Sequence, residues 1–169
     1  LTIISPTAGE TSFRANTYSL NTGDSRGAVA MAEYALRSGL RRVAMLYPRS
    51  PEHRRQANAF RMAFTQGGGQ IVFERPYEPG TTTFAEPILS LVEASPQAVF
   101  VPAPERDVLQ IAPQLTYYGL TGAGVRVLGG EGWTSDAVMR QVSARYLDGV
   151  IATTPLVRAS PEIGWQEFL

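Results

Sequence analysis

Five short apolar segments alternate with amphipathic segments of helical period, and this alternation constrains the fold more than any other feature of the sequence. Because helical segments separate consecutive strands, each strand returns through a crossover and runs parallel to its neighbours. We therefore predict an α/β fold with three layers, α/β/α, around a mostly parallel sheet of five or six strands. The apolar segments are 41–47, 70–73, 97–101, 125–129 and 149–153, and residues 1–6 form a further strand-like run at the start.

Capping signals mark the ends of the predicted helices. Ser50 followed by Pro51 is typical of a helix start, and three glycines at 67–69 end that helix. Thr83 with Glu86 forms a predicted capping box for the next helix. The positions expected to face the core in the successive helices are Val29, Ala32 and Leu36; Ala57, Phe60 and Phe64; Ile88, Leu91 and Val92; Val108, Ile111 and Leu115; and Val138, Val142 and Tyr146.

Composition excludes several classes of function. Fifteen basic and fifteen acidic residues, without a run of like charge, argue against a nucleic-acid partner or an anionic membrane surface. With no cysteine and a single histidine, His53, the chain has neither a disulfide nor the ligands of an ordinary zinc site. No segment approaches the 18 or more apolar residues of a membrane span. We expect no metal and no cofactor.

Enzyme motifs of α/β folds are also missing. The first strand of the series leads into 47–50 without a glycine, so the dinucleotide fingerprint is absent. All fifteen basic residues are arginine, which excludes a phosphate-binding or Schiff-base lysine. Glu52 and His53 fall in the first turn of a helix, where we interpret them as a dipole-stabilising acid and a solvated imidazole. A catalytic base would need a nucleophile that the sequence does not offer, so we do not expect an enzyme.

One acid follows an apolar strand directly. The segment 125–133 runs from that strand into a glycine turn that carries Glu131. Because ligands of open α/β sheets bind outside the carboxyl ends of the strands, Glu131 is a candidate for binding a ligand's ammonium group, the alternative being a solvated loop acid. Trp133 either walls the pocket or packs on the following helix. Ala103 and Pro104, after the third strand of the series, belong to the same predicted rim.

Taken in order, these segments resemble the second lobe of a type I periplasmic binding protein, in the branch that binds leucine, isoleucine and valine. The matching segments are 4–8, 24–28, 42–46, 128–133 and 147–150. The resemblance implies a periplasmic binding protein-like I fold with a flavodoxin-like lobe. It also implies that Glu131 binds the ammonium group of the ligand, while Thr7 and Ala8 contact the ligand from the hinge side through backbone and hydroxyl groups. Gly9 departs from the hydroxyl residue common there.

This resemblance gives a function as an expectation. The chain would be the solute-binding lobe of an ABC-type uptake system that takes an amino acid or similar polar solute to an ABC permease. Residues 1–22 would be the crossover between two lobes and 23–169 the lobe itself, a fragment of a longer protein. Segment 112–119 is also similar to envelope lipoproteins that activate penicillin-binding proteins, which is the alternative. Either function implies the periplasm or cell envelope, with a lipid anchor in the second case.

Overall fold

The structure, a computed structural model, describes residues 3–5, 17–19 and 25–154. Strands β1 (Ile3–Ser5) and β2 (Thr17–Ser19) pair in parallel as a separate two-stranded sheet. The predicted opening strand therefore exists, and its partner is β2 instead of the main sheet.

The main sheet has five strands, all parallel, in the order β4-β3-β5-β6-β7. This confirms the predicted parallel α/β sheet. Its strands are β3 (Arg42–Pro48), β4 (Gln70–Tyr77), β5 (Ala98–Val101), β6 (Arg126–Gly129) and β7 (Ile151–Ala152). The helices are α1 (Ser25–Arg37), α2 (Pro51–Gln66), α3 (Ala85–Glu93), α4 (Glu105–Tyr117), α5 (Asp136–Gln141) and α6 (Ala144–Leu147), and a 3-10 helix covers Glu131–Thr134.

Two hydrophobic cores, one on each face of the sheet, give the three predicted layers. On one face, α1 and α2 cover β3 and β5, and the rings of Phe60 and Phe100 stack with 4.2 Å between their centroids. On the other face, α3, α4 and α5 bury Ile88, Ile111 and Val138 completely. Burial of such side chains on both faces is the main stabilising contribution, about 1.5–3 kcal/mol for each large apolar side chain.

The strand order reverses between β3 and β5. From β3 the chain passes through α2 to β4 on one side, whereas from β5 it passes through α4 to β6 on the other. Since α2 and α4 lie on opposite faces, their first turns flank a crevice at the carboxyl ends of β3 and β5. In doubly wound sheets such a switch point is the usual place for a ligand.

The predicted capping box of α3 is wrong. Phe84 is the N-cap, and no side chain of its own neighbourhood caps the helix. Instead the Gln114 side chain accepts a hydrogen bond of 2.8 Å from the Phe84 N–H and donates one of 2.9 Å to the Thr82 carbonyl. Glu86 is engaged elsewhere, in an ion pair of 2.5 Å with Arg75.

Two boundaries and one buried helix face differ from prediction. The helix that starts at Ser135 ends at Gln141, because Val142 has an extended backbone (φ −86°, ψ 128°), and α6 follows as a separate short helix. Strand β4 continues to Tyr77 because it pairs with β3 along its whole length. The buried face of helix α1 begins at Ala28, one residue earlier than the predicted Val29, and three of its residues are alanines. The residues of this face are Ala28, Met31, Ala32 and Ala35, and the helix packs on α2.

Candidate functional site

The carboxyl ends of all five strands of the main sheet lie at one edge. The predicted site residues that the structure describes lie in the turns after β5 and β6 at this edge. Thr7 and Ala8, predicted on the hinge side, lie outside the described residues. The candidate site is therefore built from this carboxyl edge.

The turn that carries Glu131 is fixed by glycines. A Cβ on Gly132 would stand 2.2 Å from the Ala103 carbonyl oxygen, a contact that no side chain tolerates without displacement. A Cβ on Gly129 would stand 2.5 Å from the indole of Trp133. The turn after β6 is thus pressed against the turn after β5, and this places Glu131, which is half-buried, at the start of the 3-10 helix.

Trp133 lies inside the lobe. Only 2% of it is exposed, it packs with the core residues of α4 and α5, and its indole N–H donates a 2.9 Å hydrogen bond to the Val101 carbonyl. Ala103 is also buried, whereas Pro104 is half-buried as the N-cap of α4. The indole therefore packs on its own lobe, which is the second of the two alternatives considered for Trp133. A ligand contact by Trp133, Ala103 or Pro104 stays a prediction.

A small pocket opens beside Glu131. Its cavity volume is about 10 Å³, room for at most one water molecule. Gln56 approaches from α2, with its Oε1 only 3.8 Å from the position that a Cβ on Gly130 would take. Sequence reasoning missed Gln56, because nothing in a helical pattern tells which polar residue reaches a turn some 75 positions later. The pocket is lined by Gly27, Ala28, Gln56, Phe100, Gly130, Glu131 and Thr153.

A second set of polar side chains lies at the switch point between β3 and β5. The Oγ of Ser50, the N-cap of α2, is 2.6 Å from Nδ1 of His53 and also accepts the His53 backbone N–H at 3.4 Å. Desolvation lowers the pKa of His53 below its usual value of 6.5, against the opposing effect of the Glu52 and Asp107 carboxylates. The imidazole is half-buried, which departs from the sequence-based interpretation of a solvated ring.

Asp107 forms the opposite wall of the switch point. It is 3% exposed, in the first turn of α4. The Tyr77 hydroxyl donates to its Oδ2 at 2.9 Å, and Arg106 Nε donates to its Oδ1 at 3.1 Å. Burial, followed by the charge of Asp107 and this hydrogen bond, raises the pKa of Tyr77 well above its usual value. The hydroxyl therefore stays protonated and keeps donating to the carboxylate.

Ser50, His53 and Asp107 do not form a hydrolytic triad. A triad needs an acid that hydrogen-bonds the imidazole so that the other ring nitrogen can activate the serine. Here Asp107 binds Tyr77 and Arg106, and Ser50 caps its own helix. Among the described residues no group of acids and histidine could hold a metal ion. The same part of the chain contains no helix long and apolar enough to cross a membrane.

Comparison with known families identifies the chain. The family model described as periplasmic binding protein matches residues 2–164 of the 169, and the protein belongs to that family. The resemblance drawn from the sequence is thereby confirmed. No curated protein matches the sequence at a significant level.

Solved structures of solute-binding proteins share the fold. A leucine-binding protein from Thermotoga maritima is 18% identical over 99% of this chain and 50% of its own, with a TM-score of 0.75. An ABC transporter substrate-binding protein from Sphaerobacter thermophilus is 20% identical over 79% and 37%, with a TM-score of 0.71. A Rhodopseudomonas palustris solute-binding protein in complex with 3,4-dihydroxybenzoic acid is 22% identical over 76% and 36%, with a TM-score of 0.67. The chain thus spans half or less of the length of these proteins.

Proposed function

We propose that this chain is the solute-binding lobe of a periplasmic substrate-binding protein that serves an ABC-type uptake system. The observation that carries the proposal is the position of Glu131, a half-buried acid in the turn after β6, within a pocket at the carboxyl edge of a parallel sheet. In this position Glu131 binds the ammonium group of an amino acid or a similar small polar solute. The partner is an ABC permease, the location is the periplasm, and the lobe performs no catalysis.

The acid favours a cationic solute over an aromatic acid. The Rhodopseudomonas protein named above is a complex with a dihydroxybenzoic acid, whereas the Thermotoga protein is a leucine-binding protein. A benzoate offers no cation, and its carboxylate beside Glu131 would meet a like charge. Like charges at a few ångströms oppose binding strongly in a partly buried pocket. An ammonium-bearing solute therefore fits this lobe better.

The ligand is enclosed only when a second lobe closes on this one. The cavity beside Glu131 has a volume of about 10 Å³, which is far below the volume of an amino acid. Contacts from a companion lobe would complete the site and stabilise the closed form by a hinge motion. In this proposal residues 1–22 form the crossover between the lobes, with Thr7 and Ala8 on the hinge side, and residues 23–169 form the lobe itself.

A thermal-shift screen of the full-length protein against amino acids and aromatic acids tests the function. A ligand present at ~100 times its dissociation constant adds about 2.7 kcal/mol to stability, which raises Tm by several degrees. We expect the shift with amino acids and none with benzoates. A shift with benzoates alone would assign a different solute class. If no compound changes the Tm of the folded protein, the result would instead favour the alternative function, an activator of penicillin-binding proteins. None of the three matched structures above supports that alternative.

A further inference from the structure

Two polar side chains besides Glu131 line the small pocket at the carboxyl edge. Gln56 reaches it from α2, Thr153 comes directly after β7, and both residues are half-buried. Within the described residues neither side chain forms a hydrogen bond; the Thr134 hydroxyl approaches Thr153 only at its backbone carbonyl. Polar groups withdrawn from water in this way are costly unless a bound group supplies the missing partner. The pocket therefore has hydrogen-bonding capacity that the lobe itself does not use.

The side-chain oxygens of both residues lie against glycines of the pocket wall. Oγ1 of Thr153 is 3.3 Å from the position that a Cβ on Gly27 would take, and Oε1 of Gln56 is 3.8 Å from that of a Cβ on Gly130. Because both positions are glycine, no side chain there covers the two oxygens. With the carboxylate of Glu131 in the same lining, the pocket presents three kinds of acceptor: a carboxylate, an amide oxygen and a hydroxyl oxygen.

The size of the pocket and the number of its acceptors match one primary ammonium group. Such a group carries three N–H donors and no acceptor, and its nitrogen is about as large as a water oxygen. The cavity of about 10 Å³ has room for one group of that size. Phe100, which is 1% exposed, and Ala28 are its apolar walls, so a larger head group would have to displace core side chains.

The charges around the pocket also favour a cation. Gly27 and Ala28 belong to the first turn of α1, and the start of a helix carries a partial positive charge of about half a unit, which opposes an ammonium. The carboxylate of Glu131 carries a full negative charge in the same lining and outweighs this effect. The two neutral oxygens of Gln56 and Thr153 add to the attraction.

We propose that Gln56 Oε1 and Thr153 Oγ1 accept two hydrogens of the solute's ammonium group, while the third binds Glu131. This proposal rests on the solute-binding function proposed above and narrows the solute class to molecules with a primary ammonium group. A secondary ammonium, such as that of an N-methyl amino acid, has two N–H donors only. It would leave one acceptor unpaired and bring a methyl group into a pocket that has no room for it.

Titration calorimetry of the full-length protein with L-leucine and N-methyl-L-leucine tests the proposal. If the screen above finds another amino acid that binds more tightly, that amino acid and its N-methyl derivative are the pair. Wild type should bind the primary amine roughly tenfold more tightly, because one hydrogen bond from a charged donor is at stake. Thr153→Val keeps the shape of the side chain without its hydroxyl. It should weaken binding of the primary amine about tenfold and reduce the preference, because the methyl group then meets an apolar wall.

Conservative and control variants separate binding from a structural effect. Thr153→Ser keeps the hydroxyl and should behave as wild type. Gln56→Met removes the amide oxygen at similar size and should weaken binding of the primary amine as Thr153→Val does. Gln110→Met, at an exposed position of α4, is the matched control and should leave the affinity unchanged.

The outcomes distinguish this inference from the function on which it rests. Equal affinity of wild type for the primary and the N-methyl amine would overturn the inference, although the solute-binding function would then stand. Unchanged binding in both Thr153→Val and Gln56→Met would overturn it as well, and the pocket would then be the site of a water molecule. If no amino acid binds the wild type, the proposed amino-acid function fails and this inference fails with it.

Discussion

The indole N–H of Trp133 donates a hydrogen bond of 2.9 Å to the carbonyl of Val101, which joins the turn after β6 to the last residue of β5. The same carbonyl accepts a longer bond, 3.4 Å, from the Gly130 N–H. These two bonds hold the residues on either side of Glu131 against a strand in the centre of the sheet. The acid of the proposed site is therefore carried by a turn that the core itself positions.

Replacing the indole should loosen this turn. Trp133→Phe removes the hydrogen bond and leaves a cavity, and we expect a loss of about 1–3 kcal/mol in the free energy of unfolding. Urea denaturation of the full-length protein measures it. Tyr117→Phe is the control, because Tyr117 is 82% exposed and its change should stay within about 0.5 kcal/mol. Equal stability of the two variants would mean that Trp133 does not hold the turn.

The glycine turn should not tolerate a methyl group at Gly132. Its Cβ would lie 2.2 Å from the Ala103 oxygen and 2.9 Å from the Glu105 nitrogen, both backbone atoms, so the two turns must separate. Gly132→Ala should cost about 1–3 kcal/mol of stability and weaken ligand binding. At Gly122 the nearest such atom is 3.6 Å away, so Gly122→Ala should be nearly neutral in the same denaturation series. A neutral Gly132→Ala would contradict the described packing.

The Tyr77–Asp107 pair should stabilise the fold. Tyr77→Phe leaves a carboxylate that is 3% exposed with one hydrogen-bond partner fewer, which should cost about 1–3 kcal/mol. A double-mutant cycle with Asp107→Ala, which removes the acceptor, isolates the interaction between the two side chains when it is measured by urea denaturation. Additive effects of the two substitutions would show that the hydrogen bond contributes nothing to stability.

His53 should make stability depend on pH near neutrality. Its pKa in the folded protein lies below 6.5, so as the pH falls through 6.5 the unfolded chain takes up the proton first. The contribution of the neutral imidazole is thus complete above pH 6.5 and is lost as the pH falls toward the folded pKa. The free energy of unfolding should decline over this range more steeply in wild type than in His53→Gln. Parallel curves for the two proteins would contradict a half-buried ring whose pKa is lowered by desolvation.

The sequence predicted the elements whose signals are local. Ser50 and Pro51 begin α2 as expected, with Phe60 and Phe64 fully buried, because cap, proline and apolar spacing all act within a few residues. Glu131 likewise falls at the strand end where the apolar run and glycines put it.

Features that depend on distant contacts were not predictable. Gln114 caps α3 from 30 residues away, in place of the local pair Thr83 and Glu86. Gln56 enters the pocket only because α2 packs beside the turn of Gly130, and the indole of Trp133 could be assigned to the interior only once β5 lay next to β6. In each case the deciding contact joins elements that are remote in sequence.

Titration calorimetry of Glu131→Gln tests the central claim most directly. The amide keeps the size of the side chain and removes its charge, so binding of an amino acid to the full-length protein should weaken by about 1.5–3 kcal/mol. The matched control is Glu93→Gln, an exposed acid at the end of α3 and thus away from the carboxyl edge, which should leave the affinity unchanged. An amino acid that binds wild type and Glu131→Gln equally well would contradict the assignment of Glu131 as the residue that binds the ammonium group.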